Sequence, residues 1–298
     1  MTLEQVPCNL CGTDDTRTLY TKPDTRLWLS DQVFRVVQCR SCGLGYVNPR
    51  PTVDAISVWY PTVFFGRRDL DTQSPRYARQ AAYVMPRGTG RLLDVGCAGG
   101  EFVEYMRARG WSADGIDPFG PPRYRGDLLR AVYRRDPYTP QSFDVVTAWG
   151  VCEHLHDPMA HFRAVARLLR PGGRFIALTT NLRSPWSRWS FAEDVPRHLY
   201  FFSPATMRRY AEAVGLRVIR VDHDAGIMTP DTTDLFRVRL LRALGVSWPD
   251  VYDRTRHPAW LRAAELVARA AGKALFAGGW LEARLRVSGV IVTTMEPA

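Results

Sequence analysis

The run Leu92-Leu93-Asp94-Val95-Gly96-Cys97-Ala98-Gly99-Gly100-Glu101 constrains this chain more than any other stretch. Its apolar start with one acid reads as a buried strand. A glycine-rich turn follows, and then an apolar face at helical spacing over Phe102, Val103 and Met106, with Gly110 as its stop. Such a turn lets backbone pass close to a bound ligand where a Cβ would block the approach. Gly96 and Gly100 are the positions expected to need that space, or to need positive φ. The dinucleotide fingerprint G-x-G-x-x-G is absent. A glycine turn alone does not separate a ligand loop from an ordinary strand-to-helix connection, so the rest of the chain must decide.

Strands and helices alternate on both sides of this run, which argues an α/β fold with a doubly wound parallel sheet. A second strand over 112–116 ends in Asp117-Pro118, 23 residues beyond Asp94. A carboxylate there can accept both hydroxyls of a ribose side by side. Gly120-Pro121-Pro122 leaves little room for the next crossover helix, and 131–134 is expected as the third strand. Asp136 would then lie at its end, facing an adenine amino group. It is preferred to Asp127, which follows Asp117 by only ten residues, too few for a crossover. The buried strand 142–149 runs into Gly150-Val151-Cys152-Glu153-His154-Leu155. Beyond it come a helix closed by Pro171-Gly172-Gly173, a strand over 174–180, a helix from Pro204 capped by Ser203, and a strand over 216–221. Residues 222–283 form an insertion whose stretches 232–244 and 258–276 read as amphipathic helices, and 286–293 is the last strand.

Residues 1–50 form a different module. Cys8-Asn9-Leu10-Cys11-Gly12 and Cys39-Arg40-Ser41-Cys42-Gly43 are two Cys-x-x-Cys turns, each followed by glycine. With a strand between them they supply Cys8, Cys11, Cys39 and Cys42 as four ligands for a structural Zn²⁺ in a zinc ribbon. A redox pair or free thiols are the alternatives. Residues 51–90 connect the modules and are rich in aromatics, Trp59 and Tyr60 among them. They pack the ribbon on the main domain or cover the ligand.

Taken together, the glycine loop, Asp117, Phe143-Asp144-Val145-Val146, Glu153-His154-Leu155 and Leu168-Leu169-Arg170-Pro171-Gly172-Gly173 resemble a class I S-adenosylmethionine (SAM)-dependent methyltransferase over 91–221. With the double-knuckle N-terminus, the chain resembles the zinc-ribbon branch found among bacterial sugar and natural-product methyltransferases. The resemblance implies a Rossmann-like, seven-stranded sheet with an antiparallel edge strand in a 91–298 catalytic domain. It implies SAM contacts at Asp94, Gly96, Cys97, Ala98, Gly100, Asp117, Pro118, Asp136, Trp149 and Gly150. Ala98 stands where the pattern has its middle glycine, which departs from it.

Methyl transfer to a hydroxyl or carbon acid needs a base, and the candidates are His198 and His154. His198, in the Pro196-Arg197-His198 segment, is preferred. His154 is expected to position cofactor or substrate at least as much, and Glu153 to hold substrate, orient His154 or cap the next helix. The motif typical of N-methylation after the fourth strand is missing, which favours an O- (or C-) methyltransferase. The expected partner is a small-molecule acceptor, glycosylated or lipid-linked compounds included, and the amphipathic helices could form a homodimer face. The net charge of +10 is carried almost wholly by scattered arginines, with lysine only at Lys22 and Lys273. Nucleic acid is therefore disfavoured, although an RNA methyltransferase and a non-catalytic SAM-binding protein remain the alternatives. No apolar run reaches the ~20 residues of a membrane span, and a cytoplasmic protein is the expectation.

Overall fold

The computed structural model describes residues 2–298 apart from 25–26, 28, 61–74, 135–137, 186–193, 224, 228–239, 242, 247–256 and 277–282. Near the N-terminus lie β1 (Leu3–Glu4), β2 (Thr16–Lys22), β3 (Phe34–Cys39), β4 (Gly45–Val47) and β5 (Arg50–Pro51). Helix α1 (Pro75–Val84) leads into β6 (Arg91–Val95), α2 (Glu101–Arg107), β7 (Ser112–Ile116), α3 (Leu128–Arg134) and β8 (Phe143–Trp149). Then come α4 (Pro158–Leu168), β9 (Leu169–Thr180), β10 (Tyr200–Phe201), α5 (Pro204–Glu212), β11 (Leu216–Asp222), α6 (Ala259–Phe276) and β12 (Val290–Pro297).

The central sheet has the order β11-β12-β9-β8-β6-β7. β7, β6, β8 and β9 are parallel, and β12 is antiparallel to both its neighbours. β8 is buried at every residue, as a strand covered on both faces must be. Side chains start the helices: Asp157 accepts the Ala160 N–H ahead of α4, and Ser203 and Thr206 cap α5 reciprocally.

Two expectations are corrected among the described residues. The sheet has six strands rather than seven, because 131–134 belongs to α3. Asp127 caps that helix, its carboxylate accepting the Arg130 N–H at 2.9 Å, and Leu128 and Ala131 bury one helical face. The chain after Asp117 returns through a tight turn in which the Tyr124 carbonyl accepts the Asp117 N–H at 2.8 Å. β7 is thus the edge strand. At the other side the last strand lies between β9 and β11 instead of at the edge. Residues 290–295 are all buried, whereas β11 is buried only at Leu216. Asp136 falls outside the described residues, as does most of the expected 232–244 helix.

The ribbon does not stand apart. β2, β3 and β4 form an antiparallel sheet, and β10, from far along the chain, adds to β4 as its fourth strand. One core runs from Phe34, Val36 and Tyr46 to Leu93, Phe162 and Phe202. Asn9 binds across the seam, donating to Asp157 at 2.9 Å and accepting from the Met159 N–H at 3.0 Å and the Tyr210 hydroxyl at 2.9 Å. The buried Arg50 guanidinium reaches Glu4, the His156 carbonyl and the Tyr200 hydroxyl at 2.8–2.9 Å.

The β4–β10 contact leaves no room for a side chain at Gly45. A Cβ there would lie 2.9 Å from Leu182 Cδ2 and 3.1 Å from Phe201 Cβ. Gly45→Val is expected to cost about 1–3 kcal/mol, read as a lower midpoint in urea denaturation. An unchanged midpoint would contradict this packing.

Candidate functional site

The glycine loop is built as its residues require. Gly96 has φ +72°, and a Cβ there would lie 2.4 Å from Val151 Cγ2. Gly100 has φ +89°, and its Cβ would enter the Tyr124 ring at 1.9 Å. Ala98 adopts φ +50°, so the turn requires a left-handed residue at this position too, and the chain accepts the strain of alanine there. Cys97 turns its side chain into the core against Gly115. Asp94 is buried, and the Thr147 hydroxyl donates to it at 2.6 Å. Burial pushes its carboxyl up to about 7, against the Thr147 bond and the positive charge of Arg76.

Asp117 holds the outer side of the loop. One carboxylate oxygen accepts the Ala98 N–H at 3.0 Å and the other the Phe119 N–H at 2.7 Å. Each oxygen keeps a second lone pair, and the residue is half-buried, as binding a diol requires. Pro118 beside it is exposed, and Gly150 follows β8 at φ +73°. Trp149 packs into the α1–α2 layer, 5.7 Å from Phe102 between ring centres, and its buried indole N–H has no partner among the described residues.

Val151 joins this loop to the turn Cys152–His154 at the end of β8. There a carboxylate oxygen of Glu153 and imidazole nitrogens of His154 and His198 lie within 4.8 Å of one another. Glu153 is buried and accepts the Thr179 hydroxyl at 2.9 Å, and burial pushes its carboxyl up to about 7. The capping role belongs to Asp157 instead. His154 Nδ1 lies 3.1 Å from the Arg197 carbonyl and 2.9 Å from the Tyr60 hydroxyl. Nδ1 can donate to that carbonyl or accept from the Tyr60 hydroxyl, according to the tautomer of the ring. Tyr60 also stacks on Phe119, which ties the connector to the end of β7. The His198 ring stands edge-on to His154 at 4.6 Å, with Nε2 3.5 Å from Asp194 Oδ2. His198 is 4% exposed, while His154 is only half-buried.

The four ribbon cysteines also converge. Cys8 and Cys42 sulfurs are 3.4 Å apart, Cys11 and Cys39 sulfurs 3.5 Å, and all four lie within 4.8 Å of one another. Tetrahedral Zn–S bonds of about 2.3 Å place sulfurs about 3.8 Å apart, so the set fits a zinc ion. The Cys42 N–H points at Cys39 Sγ at 3.4 Å.

A family profile described as "Methyltransferase domain" matches residues 67–221, just over half of the chain. The chain belongs to the class I SAM-dependent methyltransferases. This methyltransferase is 36% identical over 151 residues to a ubiquinone biosynthesis O-methyltransferase of Aeromonas salmonicida, covering 43% of this chain and 63% of that protein. It is 31% identical over 174 residues to the protein of that name in Methylobacterium nodulans, covering 50% and 68%. The chain thus spans a little under two thirds of the length of the first relative. Among solved structures, a SAM-dependent methyltransferase from Archaeoglobus fulgidus aligns with a TM-score of 0.42 at 21% identity, over 51% of this chain and 73% of that one.

Sequence reasoning missed Arg76, Asp194 and the bonds of Arg197. Arg76 on α1 acts on Asp94 by its charge. No periodicity marks it. Asp194 had a legible signal, an acid four residues before His198 in the same short loop.

Asp94 holds a proton more readily folded than unfolded, so its ionisation subtracts stability as pH rises from about 4 to about 7. Asp94→Asn removes that loss. Its melting temperature is expected to exceed the parent's above pH 7, by the equivalent of up to roughly 4 kcal/mol, and to converge with it near pH 4. A pH-independent difference in calorimetry would contradict the assignment.

Proposed function

We propose that this chain is an O-methyltransferase acting on a hydroxyl of a small-molecule acceptor. The observation that carries the reading is the Glu153–His154–His198 cluster, buried except at His154, joined through Val151 to the glycine loop. SAM, when bound, supplies an electrophilic methyl group. Gly96, Ala98 and Gly100 would carry the backbone that holds it, Asp117 its ribose hydroxyls, and Arg76 its carboxylate. His154 would take the acceptor's proton through Nε2, in the tautomer that donates Nδ1–H to the Arg197 carbonyl 3.1 Å away. That moves the base from His198, which is buried behind His154 and faces Asp194. Glu153 would orient the acceptor hydroxyl.

Tyr60 bonds His154 and stacks on Phe119, which places aromatic faces beside the cluster, and the arginines are scattered along the sequence; both favour a small ring-bearing acceptor over a nucleic acid strand. The acceptor would be a hydroxyl of a ubiquinone-biosynthesis compound, as the relatives' names say of them, or a sugar hydroxyl, as the zinc-ribbon resemblance implies. Release of S-adenosylhomocysteine from SAM with a panel of catechols, phenols and sugar nucleotides separates the two. His154→Ala is expected to lower kcat by about 10²–10⁴-fold while S-adenosylhomocysteine affinity changes little in calorimetry. Turnover of RNA, or a His154→Ala variant with full activity, would overturn the reading.

The four cysteines would hold a structural zinc ion, since protein ligands fill every position and none is left for chemistry. One zinc per chain is expected by mass spectrometry. Its removal with a strong chelator is expected to lower the melting temperature and to release the β4–β10 pairing. Metal-free protein with disulfides between the cysteines would favour the redox alternative.

A further inference from the structure

Asn9 stands between Cys8 and Cys11, inside the first cysteine knuckle. The knuckle is closed by its own backbone: the Gly12 N–H binds the Cys8 carbonyl at 2.7 Å and the Cys8 N–H the Thr13 carbonyl at 3.0 Å. The Asn9 side chain reaches across to α4. The first N–H groups of a helix have no partner within it. In α4 the first residue is Pro158, which has no N–H to satisfy. The second is Met159, whose N–H goes to Asn9 Oδ1 at 3.0 Å. The third is Ala160, whose N–H goes to Asp157 Oδ1 at 3.0 Å. Asn9 Nδ2 donates to that same Asp157 oxygen at 2.9 Å, and Asn9 Oδ1 also accepts the Tyr210 hydroxyl of α5 at 2.9 Å. The cap of α4 is therefore built jointly by Asp157 and by a ribbon residue 148 positions away. The ribbon also holds the chain just ahead of that cap. Arg50 donates to the His156 carbonyl at 2.8 Å, and His156 Nε2 lies 3.1 Å from the Pro51 carbonyl. His154 comes three residues before Asp157, and its own N–H binds the Val151 carbonyl at 2.9 Å.

We propose that Asn9 is a positioning residue for the turn that carries Glu153 and His154. It completes the α4 cap from inside the metal knuckle, so the metal state of the ribbon sets how firmly that turn is held. The proposal rests on the zinc and methyltransferase readings for what stands at either end of the contact. Four sulfurs drawn to one ion fix the loop between Cys8 and Cys11, and with it the Asn9 amide. Loss of the ion frees that loop, and the Met159 N–H exchanges its partner for water. Coupling of this kind runs both ways: the cap stabilises the bound metal as much as the metal stabilises the cap. The ribbon thereby acts on the Cys152–His154 turn without touching a substrate.

The test is hydrogen–deuterium exchange of the zinc-loaded full chain, read by mass spectrometry on peptides covering 151–165 and, for comparison, β9. In Asn9→Ala the turn and the start of α4 are expected to exchange about 5–30-fold faster, as loss of a helix cap does. β9 is expected to be unchanged, and one zinc per chain to be retained. Asn9→Asp sets a carboxylate against Asp157 and is expected to lose at least as much. Adding Asp157→Asn to it returns an amide–carboxylate pair and is expected to recover much of that loss. Asp157→Ala removes no ribbon atom, yet it is expected to bind zinc about fivefold or more weakly in competition with the dye pyridylazoresorcinol. The His154 ring signals in nitrogen-15 NMR, identified by their loss in His154→Gln, are expected to broaden or double in Asn9→Ala well below its melting temperature. A merely structural Asn9 would speed exchange evenly through β9 and the turn, and leave the His154 signals and the zinc affinity of Asp157→Ala as in the wild type. That result would overturn the proposal, as would equal exchange in wild type and Asn9→Ala. Where Asn9→Ala fails to fold, the zinc competition of Asp157→Ala decides alone. Failure of the zinc reading shows separately, as wild-type protein without zinc. Failure of the methyltransferase reading shows as wild-type protein with no thermal shift on adding S-adenosylhomocysteine.

Discussion

The buried guanidinium of Arg197 is the constraint that the rest of the structure accommodates. A desolvated charge of this kind survives only with its donors fully engaged, and losing one partner of such a pair typically costs about 3–5 kcal/mol. Here the partners come from the ribbon and from the guanidinium's own loop. The loop they fix then sets the site. The Leu199 N–H binds the Glu153 carbonyl at 2.7 Å, the Val47 N–H binds the Leu199 carbonyl at 2.9 Å, and the next two residues join the ribbon sheet as β10. Ribbon, the Cys152–His154 turn and the histidine loop are therefore held by one short run of chain.

The glycine loop works under a different constraint, that of space. Gly96 backs onto Val151 and Gly100 onto Tyr124, so each glycine is required by protein packed behind the loop. The front of the loop is left as backbone, with Asp117 bridging Ala98 and Phe119 across it. Because Val151 opens the turn that carries Glu153 and His154, the same close contact sets the distance between the glycine loop and the Glu153–His154–His198 cluster.

How far this was legible depended on whether the signal was local. The Val- and Leu-rich parallel strands, the Ser203 cap and the glycine loop are written in neighbouring residues, and each appears where the pattern put it. The segment 131–134 misled because four residues of mixed apolar character fit either period, and Asp127 as an N-cap decided for a helix over 128–134. The place of β12 was not local either, since only burial on both faces distinguishes an inner strand from an edge. Least legible were the long-range polar bonds. Asp24 and Arg197 are 173 residues apart, and nothing in either neighbourhood announces the other. Nor does the sequence show how the two candidate bases differ in burial, His198 being 4% exposed against Asp194 and His154 half-buried.

If the loop from Gly96 to Gly100 and the Glu153–His154–His198 cluster form one reaction centre, a crystal structure with S-adenosylhomocysteine will show it. The ribose hydroxyls are expected on Asp117, and the thioether sulfur turned toward the side of the cluster that carries His154. A ligand bound elsewhere, or one whose sulfur points away from His154 with the cluster closed off behind it, would contradict it.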